Sequence, residues 1–300
     1  MRCPACGGET APWLAAPGFE PGDTASYELV RCRACGTGAT CGPVPGPSAY
    51  SSGIYRAGAG EPRLNRLIAR LQRAADQVPL RVLRRCGLRP PARVIDVGAG
   101  RGRLVGALAA HGYVAEGIDV APRSTNVRRA GVLEHAATDL DGAVMWHVVE
   151  HTPDPETAIS HVAAWLRPGG VLLVATPNLG SLQARIAGRD WFHLDLPRHR
   201  THFTPAGVRA CMRRAGIEPG RTWHFVPEHN IHGMWFALLT RLGMTPGFPF
   251  HLLKRNVPIG PRDLALVALA GPLLLPVAIV LELVACAARR GGTVVITGTA

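Results

Sequence analysis

The stretch ARVIDVGAGRGRL, residues 92–104, decides how this chain reads. An apolar run with β-branched residues ends in an acid, Asp96, and three glycines follow at alternate positions, Gly98, Gly100 and Gly102. A strand that breaks into such a turn and then enters a helix lets backbone approach a ligand closely. A phosphate-binding loop needs a lysine and a hydroxyl residue directly after its glycines, but Arg103, Leu104 and Val105 follow here. The dinucleotide pattern G-x-G-x-x-G is broken too, because Arg103 stands where its third glycine belongs. What remains is an acid at a strand tip before a tight turn, which repels a pyrophosphate and suits a ligand presenting a cationic amine.

A second acid supports this. YVAEGIDVAP (113–122) reads as a neighbouring strand ending at Asp119, 23 residues after Asp96. A carboxylate at that strand tip can accept both hydroxyls of a ribose. Further on, AVMWHVVEH (143–151) is a strand running into a loop, PETAISHVAAWL (155–166) is an amphipathic helix, and RPGGVLLVATPN (167–178) is a glycine turn into a doubly buried strand. RSTNVRRAGV (123–132) reads as a short helix. The alternation predicts an α/β fold with a doubly wound parallel sheet and ligands at the carboxyl ends of its strands.

With WHVVEHTPDP, LRPGGVLLVATPN and HLDLPRHRTHFT following these two acids, residues 90–220 resemble the class I S-adenosylmethionine (SAM) dependent methyltransferases. The likeness is to the branch that includes the ubiquinone-biosynthesis O-methyltransferases. It implies a seven-stranded, mostly parallel, Rossmann-like sheet. The turn with Gly98, Gly100 and Gly102 would cradle the methionine part of SAM, Asp96 would serve its amine, and Asp119 would hold the ribose. Trp146 and His147 would face the sulfonium. Between Asp119 and AVMWH the chain is shorter than family members usually are. LEHAATDLDG (133–142) must therefore supply a third strand and an adenine-contacting acid, Asp139, with Asp141 as the alternative.

SAM brings its own leaving group, so the protein must align the acceptor and, for a hydroxyl, remove a proton. Histidine suits that near neutral pH. His151 is the first candidate base, with His147 and His199 behind it. HLDLPRHRTHF also holds His193, His202, Asp195 and Arg198, which either cap the acceptor or tie the loop to the sheet. The expected function is methyl transfer to a hydroxyl, or another nucleophile, of a small-molecule or lipid-linked acceptor. An RNA methyltransferase and a non-catalytic SAM-binding protein are the rivals. Against the first, HVVEHTPDP lacks the Asn/Asp-Pro-Pro-aromatic loop of enzymes that methylate base amines.

The rest of the 300 residues frames this core. Net charge is +12, and Lys254 is the only lysine; such a balance suits nucleic acid, anionic lipid or acidic substrates without choosing among them. No apolar run follows the initial Met-Arg-Cys-Pro, so a cytoplasmic protein is expected. Eight cysteines without a secretory signal argue for metal ligation and buried thiols. CPACGG (3–8) and CRACGT (32–37) form two knuckles, and Cys3, Cys6, Cys32 and Cys35 predict a closed structural zinc site in a ribbon over 1–45. SAM binding should not depend on that ribbon if the cofactor site lies wholly in the core. Residues 46–89 read as a Pro/Gly/Ser-rich linker, with Tyr50 and Tyr55 docking it, and one or two helices within 63–88.

The C-terminal region, 221–300, holds the most apolar stretch. LALVALAGPLLLPVAIVLELVACAARR (264–290) runs 18 residues without charge to Leu281, about the lower limit for a span. Pro272 and Pro276 should divide it, and arginines flank both ends. GGTVVITG (291–298) reads as a strand that joins the sheet. A bent, re-entrant or surface-lying helical pair over 264–288, in contact with the cytoplasmic face of a membrane, follows as the expectation, with helices buried against the core as the alternative. The amphipathic stretch at 233–244 would assist it.

Overall fold

The computed structural model describes residues 1–20, 22–46, 49, 77–254 and 260–300. Tyr50, Tyr55 and most of the linker lie outside the described residues, and of the helices expected within 63–88 only 77–85 (α1) is described.

The N-terminal ribbon is a meander of β1 (Thr10–Pro17), β2 (Ser26–Cys32) and β3 (Gly38–Thr40). It is not a free appendage. β3 pairs antiparallel with β9 (Thr201–His202), so ribbon and core share a four-stranded sheet.

The main sheet has seven strands. β4 (Arg93–Val97), β5 (Val114–Asp119), β6 (Arg128–Arg129), β7 (Leu140–Trp146) and β8 (Leu166–Pro177) run parallel. β10 (Glu218–Trp223) and β11 (Thr293–Thr299) close one side antiparallel, in the order β10-β11-β8-β7-β4-β5-β6. The 291–298 stretch does join the sheet, with Val295 opposite Ala175. Alternation sorts the strands onto two apolar layers. Ile95, Val97, Met145 and Leu172 meet Ile159 and Val162 of α3 (Pro155–Ala163) and Val208 and Met212 of α5 (Pro205–Arg214). On the other face Val94, Val144 and Leu173 meet Leu83 of α1 and Leu104 and Leu108 of α2 (Arg103–Ala110). Helix starts are written in the chain: Asp154 and Thr204 each accept a first-turn N–H, from Thr157 and Gly207, with proline next in line.

Two expectations for the short segment fail. The 123–132 stretch forms no helix; its Arg128 and Arg129 are the third strand, paired beside Ile118 and Asp119. The 133–142 segment is then turn and loop before β7, which begins at Leu140. The chain is short here because it omits a crossover helix.

The C-terminal helices are α4 (Leu182–Ala187), α6 (Pro227–Arg241), α7 (Phe248–Lys254), α8 (Pro261–Leu269) and α9 (Gly271–Ala287), where α4 follows β8 in the chain. The apolar run breaks at Ala270 rather than at its prolines. Pro272 sits in the first turn of α9, where an N–H would lack a partner anyway, and α9 continues through Pro276. The 233–244 stretch is core: Met234, Phe236, Ala237 and Leu239 of α6 are buried.

Candidate active site

A cavity of about 740 Å³ opens at the carboxyl ends of β4, β5 and β7. That volume is ample for a drug-sized ligand. One wall is the glycine turn. Gly98 (φ 73°) has no room for a side chain, because a Cβ would lie 2.3 Å from Val148. At Gly100 (φ 51°) a Cβ would lie 3.7 Å from Arg123 and 3.9 Å from Asp119, ordinary contacts, and this glycine lines the cavity. Gly100 N–H donates to Asp119 Oδ2 at 2.9 Å, and Ala121 N–H donates to Oδ1 at 2.7 Å. Two backbone donors therefore fix this carboxylate at the tip of β5. Asp119→Ala is expected to weaken SAM binding about tenfold or more, from the loss of about 1.5–3 kcal/mol of charge-assisted hydrogen bonding. Titration calorimetry returning an unchanged Kd would reject the assignment.

Several predicted residues sit elsewhere. Asp96 is buried and does not line the cavity. Gly102 starts α2 with a Cβ position only 2.2 Å from Asn126, so it serves close packing. Trp146 packs with the layer of Val144 and Leu173, because alternation along β7 turns it to the opposite face. Asp139 is exposed just before β7, at the amino end of the sheet, where its carbonyl accepts from Arg93. Asp141 is tied there too, to Arg93 N–H and Arg167. An acid that precedes a strand lies a full strand length from a site at its carboxyl end. In that quarter Val132, Leu133 and Glu134 line the cavity instead.

The opposite wall is a bank of imidazoles, from His147, His151, His193, His199, His229 and His232. His147 (φ 55°) leaves β7 in a left-handed conformation. Its Nδ1 donates to Glu150 Oε1 at 3.0 Å, and Glu150 is buried. Its Nε2 is buried with no protein partner, and its ring lies 4.2 Å from that of His229. Donation from Nδ1 puts the lone pair on Nε2. His151 Nδ1 donates to the Arg198 carbonyl at 3.3 Å, and His199 Nδ1 to the His193 carbonyl at 2.8 Å. Glu150, His151 and His199 bring ligand atoms within 4.8 Å of one another, a donor set that a divalent cation could share.

Sequence reading passed over His229 and His232, one turn apart in EHNIHG, and the aromatic lining of Phe19, Phe192 and Phe250. The helical spacing of the two histidines was the available signal. His202 is structural: Nε2 pairs with Thr40 Oγ1 of the ribbon at 2.9 Å.

Burial pushes His193, His199 and His229 well below the usual histidine value, and His202 down to about 3, with Arg200 adding to the last. All four are neutral in the fold at pH 7, whereas unfolding returns them to about 6.5. The unfolded chain takes up protons first as pH falls, so stability is complete above about pH 7 and declines below about 6.5. The slope approaches about 1.4 kcal/mol per pH unit for each ring, or about 5.5 for the four together. Thermal melts should give a Tm lower by about 10 °C or more at roughly pH 5.5 than at roughly pH 7.5. An unchanged Tm would mean that these rings are charged when folded.

At the ribbon, Cys3 and Cys35 Sγ are 3.7 Å apart and Cys6 and Cys32 Sγ 3.5 Å, with all four sulfurs within 4.8 Å of one another. Tetrahedral zinc with bonds of about 2.3 Å needs sulfurs about 3.8 Å apart. The set fits the ion. The ribbon also reaches the cavity, which Phe19, Val44 and Pro45 help to line. The cavity as a whole is therefore built by ribbon and core together.

The family model described as a methyltransferase domain matches residues 67–219. The ubiquinone biosynthesis O-methyltransferase of Xylella fastidiosa (strain 9a5c) is 33% identical over 149 residues, which are 42% of this chain and 61% of that protein. The corresponding protein of Bordetella avium (strain 197N) is 33% identical over 167 residues, 47% of this chain and 69% of the relative. The chain thus spans a little under two thirds of the first relative's length. A SAM dependent methyltransferase from Archaeoglobus fulgidus superposes with a TM-score of 0.45 at 18% identity, covering 75% of this chain and 94% of that one.

Proposed function

The chain belongs to the methyltransferase domain family, and from that premise we propose that it transfers a methyl group from SAM to a hydroxyl of a small-molecule acceptor that is lipid-linked. The observation that carries this reading is the pairing, across one cavity, of a backbone-held carboxylate, Asp119, with an unpartnered imidazole nitrogen, His147 Nε2.

The residues present fit the cofactor. Asp119 would hold its ribose hydroxyls, the backbone at Gly100 would take the methionine part, and Val132, Leu133 and Glu134 would enclose the adenine. SAM supplies an activated methyl group on a sulfonium. His147 Nε2 takes the proton from the acceptor hydroxyl, and Glu150 orients the ring and stabilises the imidazolium that results. His147 replaces His151 as first choice of base, because its second nitrogen is held by a carboxylate rather than a carbonyl. Phe19, Phe192 and Phe250 give the acceptor an apolar seat and keep water from it. The ribbon is read as holding one zinc on Cys3, Cys6, Cys32 and Cys35, closed to substrate. The working location is the cytoplasm.

The test uses SAM labelled in its methyl group, with the purified full chain and three separate pools of soluble metabolites, lipid extract and total RNA. Label in the lipid extract, lost with His147→Ala, is the expected result. Label in RNA alone, or in none of the pools, overturns the reading.

A further inference from the structure

Helices α8 and α9 are built inside out for a helix on a water-soluble surface. Such a helix normally buries its large apolar residues and exposes its polar ones. Here the inward line of α9 is Gly271, Ala278, Glu282 and Ala285. The outward residues are Leu273, Leu275, Val277, Ile279, Val280, Leu283 and Val284, with Leu273 74% and Val280 and Val284 each 59% exposed. Leu264 and Leu269 of α8 extend the same apolar surface, Leu269 at 75% exposure. Scattered exposed leucines need no explanation, but a contiguous patch of this kind marks an interaction face. Small residues inside and large ones outside is the arrangement of helices that meet lipid.

The inward contacts hold α9 against the domain at both ends. Near its start, Trp235 Nε1 of α6 donates to the Gly271 carbonyl at 2.9 Å, and a Cβ at Gly271 would lie 2.9 Å from the indole. Near its end, Glu282 is fully buried and accepts from Asn230 Nδ2 at 2.8 Å and Gly292 N–H at 2.7 Å. Six residues after Ala287, β11 is already in the sheet. A helix of 17 residues, about 26 Å long, that is fastened at both ends cannot leave the domain to cross a bilayer. Among the described residues no single helix is long and apolar enough to span, and α8 and α9 meet at a 61° bend. The outer face is positioned to lie in an interface.

We propose that this face seats on an anionic lipid surface, with α8 and α9 lying in the headgroup plane. Charge selects the occupant. Arg262 at the start of α8 and Arg289 and Arg290 after α9 are exposed, while the one acid between 264 and 288, Glu282, is buried. Arginines at the rim of an apolar face draw it to anionic headgroups. They disfavour a second copy, since twofold pairing sets the arginine ends of one helix pair against those of the other in either orientation. The surface stands apart from the methyl-transfer reading. Its position adds to that reading and there rests on it: α6 gives His229 and His232 to the cavity and Asn230 and Trp235 to α9, so one helix separates the cavity from the lipid.

Flotation of the full chain with vesicles tests the surface without any measurement of methyl transfer. The intact protein is expected to float with phosphatidylglycerol/phosphatidylcholine vesicles and more weakly with phosphatidylcholine alone. Leu273→Asp with Val280→Asp, both at exposed positions, should lower vesicle partitioning by about tenfold or more while leaving the Tm and SAM affinity unchanged. Arg289→Gln with Arg290→Gln should remove most of the preference for the anionic lipid. Intact protein that stays at the bottom of the gradient overturns the proposal, whether it is monomeric or, by light scattering, a dimer that covers the face itself. Equal flotation of the aspartate variant overturns it too.

Discussion

Replacing His147 by alanine should lower kcat by about 10²–10⁴-fold, the range that general-base assistance supplies, with SAM affinity within about threefold of the parent. The loss belongs to kcat because the ring meets the acceptor proton, whereas SAM is held from the glycine turn and Asp119. Glu150 is the positioning residue. In Glu150→Gln the amide oxygen can still accept from Nδ1, but the charge that favours the imidazolium is gone. The expected result is a smaller fall in kcat, about tenfold or more, with the acidic limb of the kcat profile moved to lower pH. A variant that is merely loosened would lose activity without that movement. Full activity in His147→Ala, or a loss confined to His151→Ala, would transfer the role to His151, whose ring lies 4.5 Å from that of His199 across the same wall.

The residues legible in the sequence were those whose role is local. Gly98, Gly100 and Asp119 meet at one cavity because a strand tip and its turn are neighbours in the chain. Alternation and apolar runs pointed to a doubly wound parallel sheet that the 291–298 stretch joins, whereas its seven strands were what the family resemblance implied. Asp139 was misread because an acid near a strand is useful only at the carboxyl end, and β7 begins one residue after it, at Leu140. Trp146 was misread for want of counting by twos: Val144 and Trp146 share a face, and His147 reaches the cavity because the chain leaves the strand there with φ positive. The helix expected at 123–132 lost to pairing with β5, a tertiary preference that a run of polar and arginine residues does not advertise. His229 and His232 lie roughly eighty residues beyond His147. Only the packing of α6 over the cavity brings them to it, and no local pattern encodes that.

Removing the metal from the ribbon should damage the acceptor side of the cavity and spare the SAM side. Cys3, Ala5 and Cys32 are buried against Val208, Cys211 and Met212 of α5, so the knuckles are part of the core surface they cover. The ribbon also holds the histidine loop. Thr40 bonds His202 and the His199 carbonyl, Arg200 donates to the carbonyls of Thr40 and Gly42, and Arg198 pairs with both Glu20 and Asp195. A module this small folds at the expense of the binding free energy of its ion, about 10–16 kcal/mol in comparable peptides. Its loss should free Phe19, Val44 and Pro45 from the cavity wall and loosen His193 and His199 together. Elemental analysis should find one zinc per chain in the parent and almost none in Cys32→Ser. In that variant SAM affinity should stay within about threefold, while acceptor KM rises about tenfold or more. Protease cleavage within 1–45 and the spread of the loop's amide exchange report the same loosening without any turnover. A parent protein that carries no zinc sinks the metal assignment. A zinc-free variant with unchanged acceptor KM leaves the ribbon as a bystander to the site it touches.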